Sequence, residues 1–328
     1  MPKKYKPRAG SMAFYPRVKA RSIIPKFNSF NGLEKDLSIC KPVVYYGLKV
    51  GMTQVSAKNA HKNTSSYGHE IVIPVTVVET PALKVVGARL YKNKKPLTGK
   101  EAVSEFLKFD SLLLKKIKGK KSTVKKELDD FLKQTEKADN LVLLCYIDTS
   151  QTTIGQKKPV LVEIPLSGKF EDKIAYFKEK FTKTLPISEV FNVDDDLDVK
   201  SISKGHGFTG PVKRFGIKIL RPKAQQIQRH VGSIGPWNPS TVMHTVPRAG
   251  QHGFHNRVAY VKKLVMIGND LEKINPKAGF KKYGVIKNDY VLIAGNVPGV
   301  TKRVVALRKT TRKPRSKWTV TDVNIITK

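Results

Sequence analysis

Val43-Val-Tyr-Tyr-Gly-Leu-Lys-Val-Gly-Met-Thr53 and, after a polar break, Glu70-Ile-Val-Ile-Pro-Val-Thr-Val-Val-Glu79 decide the fold class. β-Branched and aromatic residues crowd both stretches, as a pleated, buried surface requires. The first reads as a strand running into a turn. The second is a strand carrying Ile71, Ile73, Val75, Val77 and Val78, and Ala82 to Tyr91 is a third. Short β segments separated by turns predict a small closed barrel. Arg257 to Ile267, Tyr283 to Ala294 and Lys302 to Arg308 read as strands that rejoin those before residue 92. The expected fold is therefore mainly β with an α/β insertion. It has a basic N-terminal extension (1–40), a split barrel (41–100 and 257–308), an insertion (101–198), a central extension loop (199–256) and a tail (309–328).

Charge separates these parts. Residues 101–198 hold 17 Lys/Arg against 18 Asp/Glu, a net of −1 in a chain of +36, so the other 230 residues carry +37. The insertion reads as an ordinary surface domain. Glu101 to Phe109 and Ser122 to Lys137 have helical spacing, the latter through Val124, Leu128, Phe131 and Leu132, with Ser122 as N-cap. Leu141 to Asp148 is a buried-type strand, Gly155 to Lys158 a hairpin turn and Glu171 to Phe181 an amphipathic helix. Asp194-Asp195-Asp196 reads as a solvated turn rather than a metal site, because no convergent ligands follow it.

From Val199 to Asn269 the texture changes again. These 71 residues contain no Asp or Glu, yet hold 12 Lys/Arg, nine Gly, five Pro and five of the seven His. Like charges repel, so a folded segment of this kind calls for a polyanion beside it. Gly and Pro make it largely loop. Interleaved rings fit it to nucleic acid, with phosphates on cations and bases on rings. Residues 1–35, with nine Lys/Arg and one acid, read as an extension that orders on RNA. Arg308 to Lys317, six cations in ten residues, reads as another phosphate-facing segment.

The expected RNA contacts follow by residue type. Phosphate partners in the extension are Lys3, Lys4, Lys6, Arg8, Arg17, Lys19 and Arg21. In and beside the loop they are Lys204, Lys213, Arg214, Lys218, Arg221, Lys223, Arg229, Arg248 and Arg257, and in the tail Arg312, Lys313 and Arg315. Phe208, Phe215, Trp237, His206, His230, His244, His252 and His255 are read as stacking or hydrogen-bonding groups, with Asn238 and Gln251 as further polar contacts. Trp237 lies in Gly232-Ser-Ile-Gly-Pro-Trp-Asn-Pro239, a loop tip whose neighbours are turn formers rather than core residues.

Other chemistries fit poorly. Gly205-His-Gly-Phe-Thr-Gly210 matches G-x-G-x-x-G, but Pro211 follows directly and no acid occurs before Asp270, where a dinucleotide fold needs one about 20 residues on. His252 and His255 lack a Cys, Asp or Glu to complete a metal shell. Ser203 and His206 lack an acid to orient a catalytic base. Cys40 and Cys145 are too few for a zinc site or a disulfide framework, which fits a reducing interior. No apolar run approaches ~20 residues, and Met1-Pro-Lys-Lys-Tyr-Lys lacks a signal-peptide core. The expectation is a soluble, cytosolic protein without cofactor, metal or catalysis. The alternative, an RNA-modifying enzyme with a basic guiding arm, needs a cofactor pocket that the sequence does not offer.

Several pieces carry a family resemblance: Arg8-Ala-Gly-Ser-Met-Ala-Phe-Tyr-Pro-Arg17, Gly47-Leu-Lys-Val-Gly-Met-Thr53, Pro74-Val-Thr-Val-Val-Glu79 and Lys84-Val-Val-Gly-Ala-Arg-Leu-Tyr91. More specific are Ser203-Lys-Gly-His-Gly-Phe-Thr-Gly-Pro-Val-Lys-Arg214, the Trp237 tip, and Arg248-Ala-Gly-Gln-His-Gly-Phe-His-Asn-Arg257. Over nearly its whole length the chain resembles the universal large-subunit ribosomal proteins of the L-three family, most of all the archaeal branch. The resemblance implies a translation-protein-type β-barrel on the solvent side of the subunit. It also implies extensions that run through 23S-type rRNA toward the peptidyl transferase centre. Early subunit assembly and aminoacyl-tRNA accommodation are the implied roles. The L-fourteen and L-twenty-four-e proteins are the implied neighbours, in the cytoplasmic large ribosomal subunit, with no membrane and no free homo-oligomer. Trp237 matches the family's tip Trp. Asn238 stands where the family usually has His, and Ala224-Gln-Gln-Ile-Gln228 where it is often rich in Arg and His.

Overall fold

A computed structural model describes residues 15–27, 40–92, 95–96, 105–107, 131, 135, 138–224, 227–312 and 319–326. The chain divides into two compact units, residues 24–201 with 257–328, and residues 1–23 with 202–256. In chain order the larger unit begins with β1 (Val44–Asn59), β2 (Glu70–Glu79), β3 (Leu83–Lys92), β4 (Lys95–Pro96) and β5 (Glu105–Leu107). It continues with β6 (Asn140–Ile147), β7 (Val160–Pro165), α1 (Phe170–Lys180), β8 (Thr184–Leu185) and β9 (Asp196–Ile202). The smaller unit contributes β10 (Gly205–Thr209), α2 (Pro211–Phe215) and β11 (Gly250–Gly253). The chain then returns as β12 (Asn256–Gly268), α3 (Leu271–Ile274), β13 (Tyr290–Ala294), β14 (Val304–Lys309) and β15 (Val320–Ile326).

Hydrogen bonding runs β14-β9-β12-β13-β2-β1, and β14 also pairs with β1, so six strands close on themselves. Closure removes the sheet edges that invite aggregation. β1 makes it possible by its length of 16 residues. Val44–Leu48 face β14, Gln54–Asn59 face β15, and β2 lies along the other side from Leu48 to Lys58. A register shift between Lys49 and Gly51 bends the strand where the sequence suggests a turn. The chain therefore curves around the barrel and continues as strand to Asn59.

The second sheet, β4-β3-β6-β7 with β5 and β8 paired to β3, packs into the same apolar core. The first half of β1 is buried on both faces. The Tyr45 hydroxyl shares its one proton between the carbonyls of Pro81 (3.0 Å) and Leu185 (3.1 Å), so the ring buries its area without orphaning its hydroxyl. Two buried acids act as internal rivets. Glu79 accepts from Asn288 Nδ2 (2.8 Å), from the amides of Lys287 and Asn288 (3.1 Å each), and from the Tyr283 hydroxyl. Burial first, then the Glu79 carboxylate, push the Tyr283 hydroxyl well above its usual range. Asp198 on β9 meets Arg308 on β14 at 2.6 Å, with both side chains buried, and takes the Val261 amide at 3.2 Å.

Several expectations need correction. β3 pairs with β6 rather than closing the barrel, and β9 supplies a barrel strand from a stretch read as insertion and arm. Residues 105–107 are strand, not helix, because Phe106 pairs opposite Ala88 in the sheet. The β6–β7 connection spans 148–159, wider than a turn at Gly155–Lys158. Residues 283–289 precede the short β13 instead of forming strand. Arg308 faces a carboxylate rather than phosphate, and the supposed tail contains β15, which pairs with β1. Most of the expected helix at Ser122–Lys137 lies outside the described residues. Phe131 within it is helical and fully buried. The extension is not basic tail throughout either: Ile24 and Phe27 pack on the core, and Lys26 pairs with Glu163 at 3.0 Å.

Candidate nucleic-acid interface

The smaller unit has 15 Lys/Arg and neither Asp nor Glu in its sequence, over 78 residues. Its only buried large aliphatic side chain among the described residues is Ile202. Every ion pair among the described residues lies in the larger unit. With neither core nor counter-charge, something else must hold the unit.

Backbone pairing and two arginines do so at its base. β10 and β11 pair antiparallel, Phe208 opposite Gln251. Ser203 and His255 exchange bonds, the Ser203 amide to the His255 carbonyl (2.9 Å) and the His255 amide to Ser203 Oγ (3.1 Å). The N-terminal segment adds a third layer: the Ala20 amide reaches the Phe254 carbonyl at 2.8 Å, and His255 Nδ1 meets the Val18 carbonyl at 2.8 Å. Gly253 explains why this closure is possible. With φ of 72°, a Cβ there would lie 2.0 Å from the Lys204 carbonyl oxygen.

Arg214, at the end of α2, donates to the carbonyls of Gln251 (2.9 Å), Arg248 (2.9 Å) and Arg17 (3.1 Å). Arg17 returns the contact by donating to the Arg214 carbonyl at 2.7 Å. Its guanidinium stacks 4.3 Å from the Phe215 ring and 5.5 Å from Tyr15. Two like charges thus sit together, separated by carbonyls and aromatic faces. The guanidinium's planar fork makes this possible where a lysine's ammonium would not. Partial burial, then the nearby Arg17 charge, lower the Arg214 pKa from its ordinary value.

Beyond this base, residues 216–249 form no helix or strand among those described. Trp237 is 93% exposed and Phe208 79%. Rings left in water forgo their largest contribution to folding, which makes these two the candidates for contact with a partner. His206 stacks on His252 with centroids 4.9 Å apart. Desolvation first, then the positive surroundings of His206, His255, Lys213 and Arg17, lower the His252 pKa. The imidazolium is thereby disfavoured.

The residues expected to contact RNA therefore divide. Lys19, Arg21, Lys204, Lys213, Lys218, Arg221, Lys223, Arg229 and Arg248 are exposed, as are His206, Phe208, His230, Trp237, Asn238 and His244. Phe215, Gln251 and His252 are half-buried at the base. Arg17, Arg214 and His255 are turned inward and hold the base together, a role that residue type alone does not separate from phosphate contact. In the larger unit Arg257 is exposed, and Arg312 stacks 4.0 Å from the Tyr260 ring. Lys3, Lys4, Lys6, Arg8, Lys313 and Arg315 lie outside the described residues. Tyr15 went unrecognised as part of the Arg17–Phe215 stack; its place beside Pro16-Arg17 was the available signal. The G-x-G-x-x-G run lies on β10 rather than between a strand and a nucleotide-binding helix. No group of three potential metal ligands occurs among the described residues, and no helix is long and apolar enough to cross a membrane.

Comparison with known proteins agrees along the whole chain. The family model described as Ribosomal protein L3 matches residues 1–325. The chain is 39% identical over 329 residues to the large ribosomal subunit protein uL3 of Methanococcus maripaludis strain C7, covering 99% of this chain and 97% of the relative. It is 38% identical over 332 residues to uL3 of Archaeoglobus fulgidus, with the same coverage. With uL3 of Methanosphaera stadtmanae it shares 36% over 335 residues, covering 99% and 98%.

Proposed function

Because the chain belongs to the ribosomal protein L3 family, we propose that its smaller unit is the part that binds large-subunit rRNA. The protein is a structural component of the large ribosomal subunit and not an enzyme. The alternative of an RNA-modifying enzyme finds no support.

One observation supports the smaller unit as the RNA-binding part: nine exposed cations stand in an acid-free unit that has almost no apolar core. Phosphates would supply the missing counter-charge, and bases would cover Trp237 and Phe208. Barrel and insertion act as the scaffold, while residues 1–23 and 202–256 are the extensions that enter rRNA. The family's pattern extends this reading to early subunit assembly, to a tip directed at the peptidyl transferase centre, and to the L-fourteen and L-twenty-four-e proteins as neighbours.

The test is equilibrium binding of the purified chain to large-subunit rRNA transcripts across a salt series. Nine engaged cations give a log–log slope of about −6 to −8. A slope near zero, or equal affinity after 202–256 is replaced by a neutral linker, would overturn the assignment.

A further inference from the structure

The barrel unit pairs many of its charges internally, but the stretch from α3 to β13 does not follow that pattern. Residues 273–288 hold five Lys and neither Asp nor Glu. Even with Asp270, Glu272 and Asp289 at its ends, the stretch keeps five cations against three acids. Lys273 is answered by Asp270 at 2.8 Å. Lys277, Lys281, Lys282 and Lys287 are exposed, and none has an ion-pair partner among the described residues.

The backbone beneath these lysines is tied down. Phe280 and Gly284 exchange amide-to-carbonyl bonds of 2.8 and 3.0 Å, and the Tyr283 amide also reaches the Phe280 carbonyl at 3.0 Å. Asn275 holds Ile286 twice, through its amide (2.9 Å) and its carbonyl (3.1 Å). Thr153 Oγ1 donates to the Val285 carbonyl at 2.9 Å. The buried Glu79 takes the Tyr283 hydroxyl and the Lys287 and Asn288 amides. Within this frame Lys282 has a φ of 67°, a left-handed conformation that a residue with a Cβ disfavours. Such strain persists where the surrounding bonds over-determine the backbone, and it collects at binding sites.

We propose that this loop is a preordered contact for the phosphate backbone of large-subunit rRNA, made by Lys277, Lys281 and Lys282. The proposal rests on the RNA-binding reading and carries it from the extensions to the barrel. A lysine ammonium is a compact charge with rotatable donors, so it meets a phosphate without reading a base. The loop is ordered during folding, and binding therefore loses less entropy here than in a segment that orders on RNA. A protein partner fits less well. Protein interfaces are depleted in Lys and depend on aromatic or Arg anchors, whereas Val285 is the only exposed large apolar side chain in this stretch.

Lysine acetylation footprinting of the full chain, free and bound to large-subunit rRNA transcript, tests the site. Modification of Lys277, Lys281 and Lys282 is expected to fall at least fivefold on binding. The triple variant Lys277→Ala/Lys281→Ala/Lys282→Ala should flatten the log–log salt slope by about 2 to 3. Protection confined to the smaller unit, with no change of slope in the variant, would overturn the loop contact and leave the RNA-binding reading standing. A slope near zero for the unsubstituted chain would remove both. Protection of these lysines in the intact subunit but not in the binary complex would assign the loop to a protein neighbour and sink the proposal. The hydrogen-bonded amides within 279–288 should resist exchange before RNA is added. Protection that arises only in the complex would refute the preordering.

Discussion

The barrel unit pairs its buried charges within the protein, although its 47 Lys/Arg against 26 Asp/Glu leave a basic surplus; the basic unit has no acid with which to pair at all. Arg308 finds Asp198, Lys26 and Arg89 converge on Glu163, and Lys309 reaches Asp195 at 2.9 Å. In the basic unit Arg17 and Arg214 meet carbonyls, rings and the Tyr15 hydroxyl but no carboxylate, and the other described cations stand exposed. The apolar residues split the same way. The barrel buries Tyr45, Tyr290 and Leu292 completely, whereas the basic unit exposes Phe208, Ile227, Ile234, Trp237 and Met243. One chain thus contains a part with a large apolar core and internal ion pairs, and a part with almost no core and no acid of its own. Stability mutations should act in the first part, and affinity mutations in the second.

The sharpest contrast is expected at the buried pair. Asp198→Ala leaves Arg308 buried without its carboxylate, so denaturant unfolding of the chain should lose about 3–5 kcal/mol. Trp237→Ala, at 93% exposure, should move the same transition by less than about 0.5 kcal/mol. Comparable losses from both would mean that the loop tip contributes to the folded scaffold, and the division would fail.

The next effect tests the base of the basic unit. Gly253→Ala places a methyl against the Lys204 carbonyl at positive φ, a strain of about 1–3 kcal/mol. It should weaken RNA binding several-fold while leaving the barrel's unfolding midpoint in place. Smaller again, Lys213→Ala with Arg248→Ala should reduce the log–log salt slope by about 1.5 to 2. An unchanged slope would remove those two cations from the phosphate-contacting set.

Pattern along the chain carried much of this division, and its gaps have physical causes. β2 could be read to the residue, because Ile71 to Val78 combine β-branched side chains with clear turn signals on either side. The partner of β3 could not be read, since Val85, Ala88 and Leu90 would suit either sheet and the choice depends on distant β6. The acid-free composition announced a polyanion, but composition treats all arginines alike. Exposed Arg248 and the carbonyl-bound Arg214 have the same chemistry in sequence, and only folding separates them. Trp237 was legible for the opposite reason: Gly232, Gly235, Pro236 and Pro239 leave no periodic apolar neighbours to bury it.

The histidines provide the finest test of the comparison. His252 stacks on His206 and faces His255, Lys213 and Arg17, with no carboxylate in its unit, and its pKa is depressed in the folded state. The unfolded chain therefore takes up the proton more readily than the folded one. The His252 contribution is complete above the unfolded value of about 6.5 and is lost as pH falls below it, through the folded value. Without RNA, amide protection factors at 203–209 and 250–255, with the intrinsic pH dependence of exchange divided out, should fall between about pH 7 and pH 5, and His252→Gln should flatten that change. Bound phosphates reverse the electrostatics, because they favour the imidazolium, so the same acidification should leave the base protected once rRNA is present. Acid loosening that persists in the complex would place the His206–His252 stack away from phosphate and restrict the RNA surface to the lysines, arginines and exposed rings of the tip.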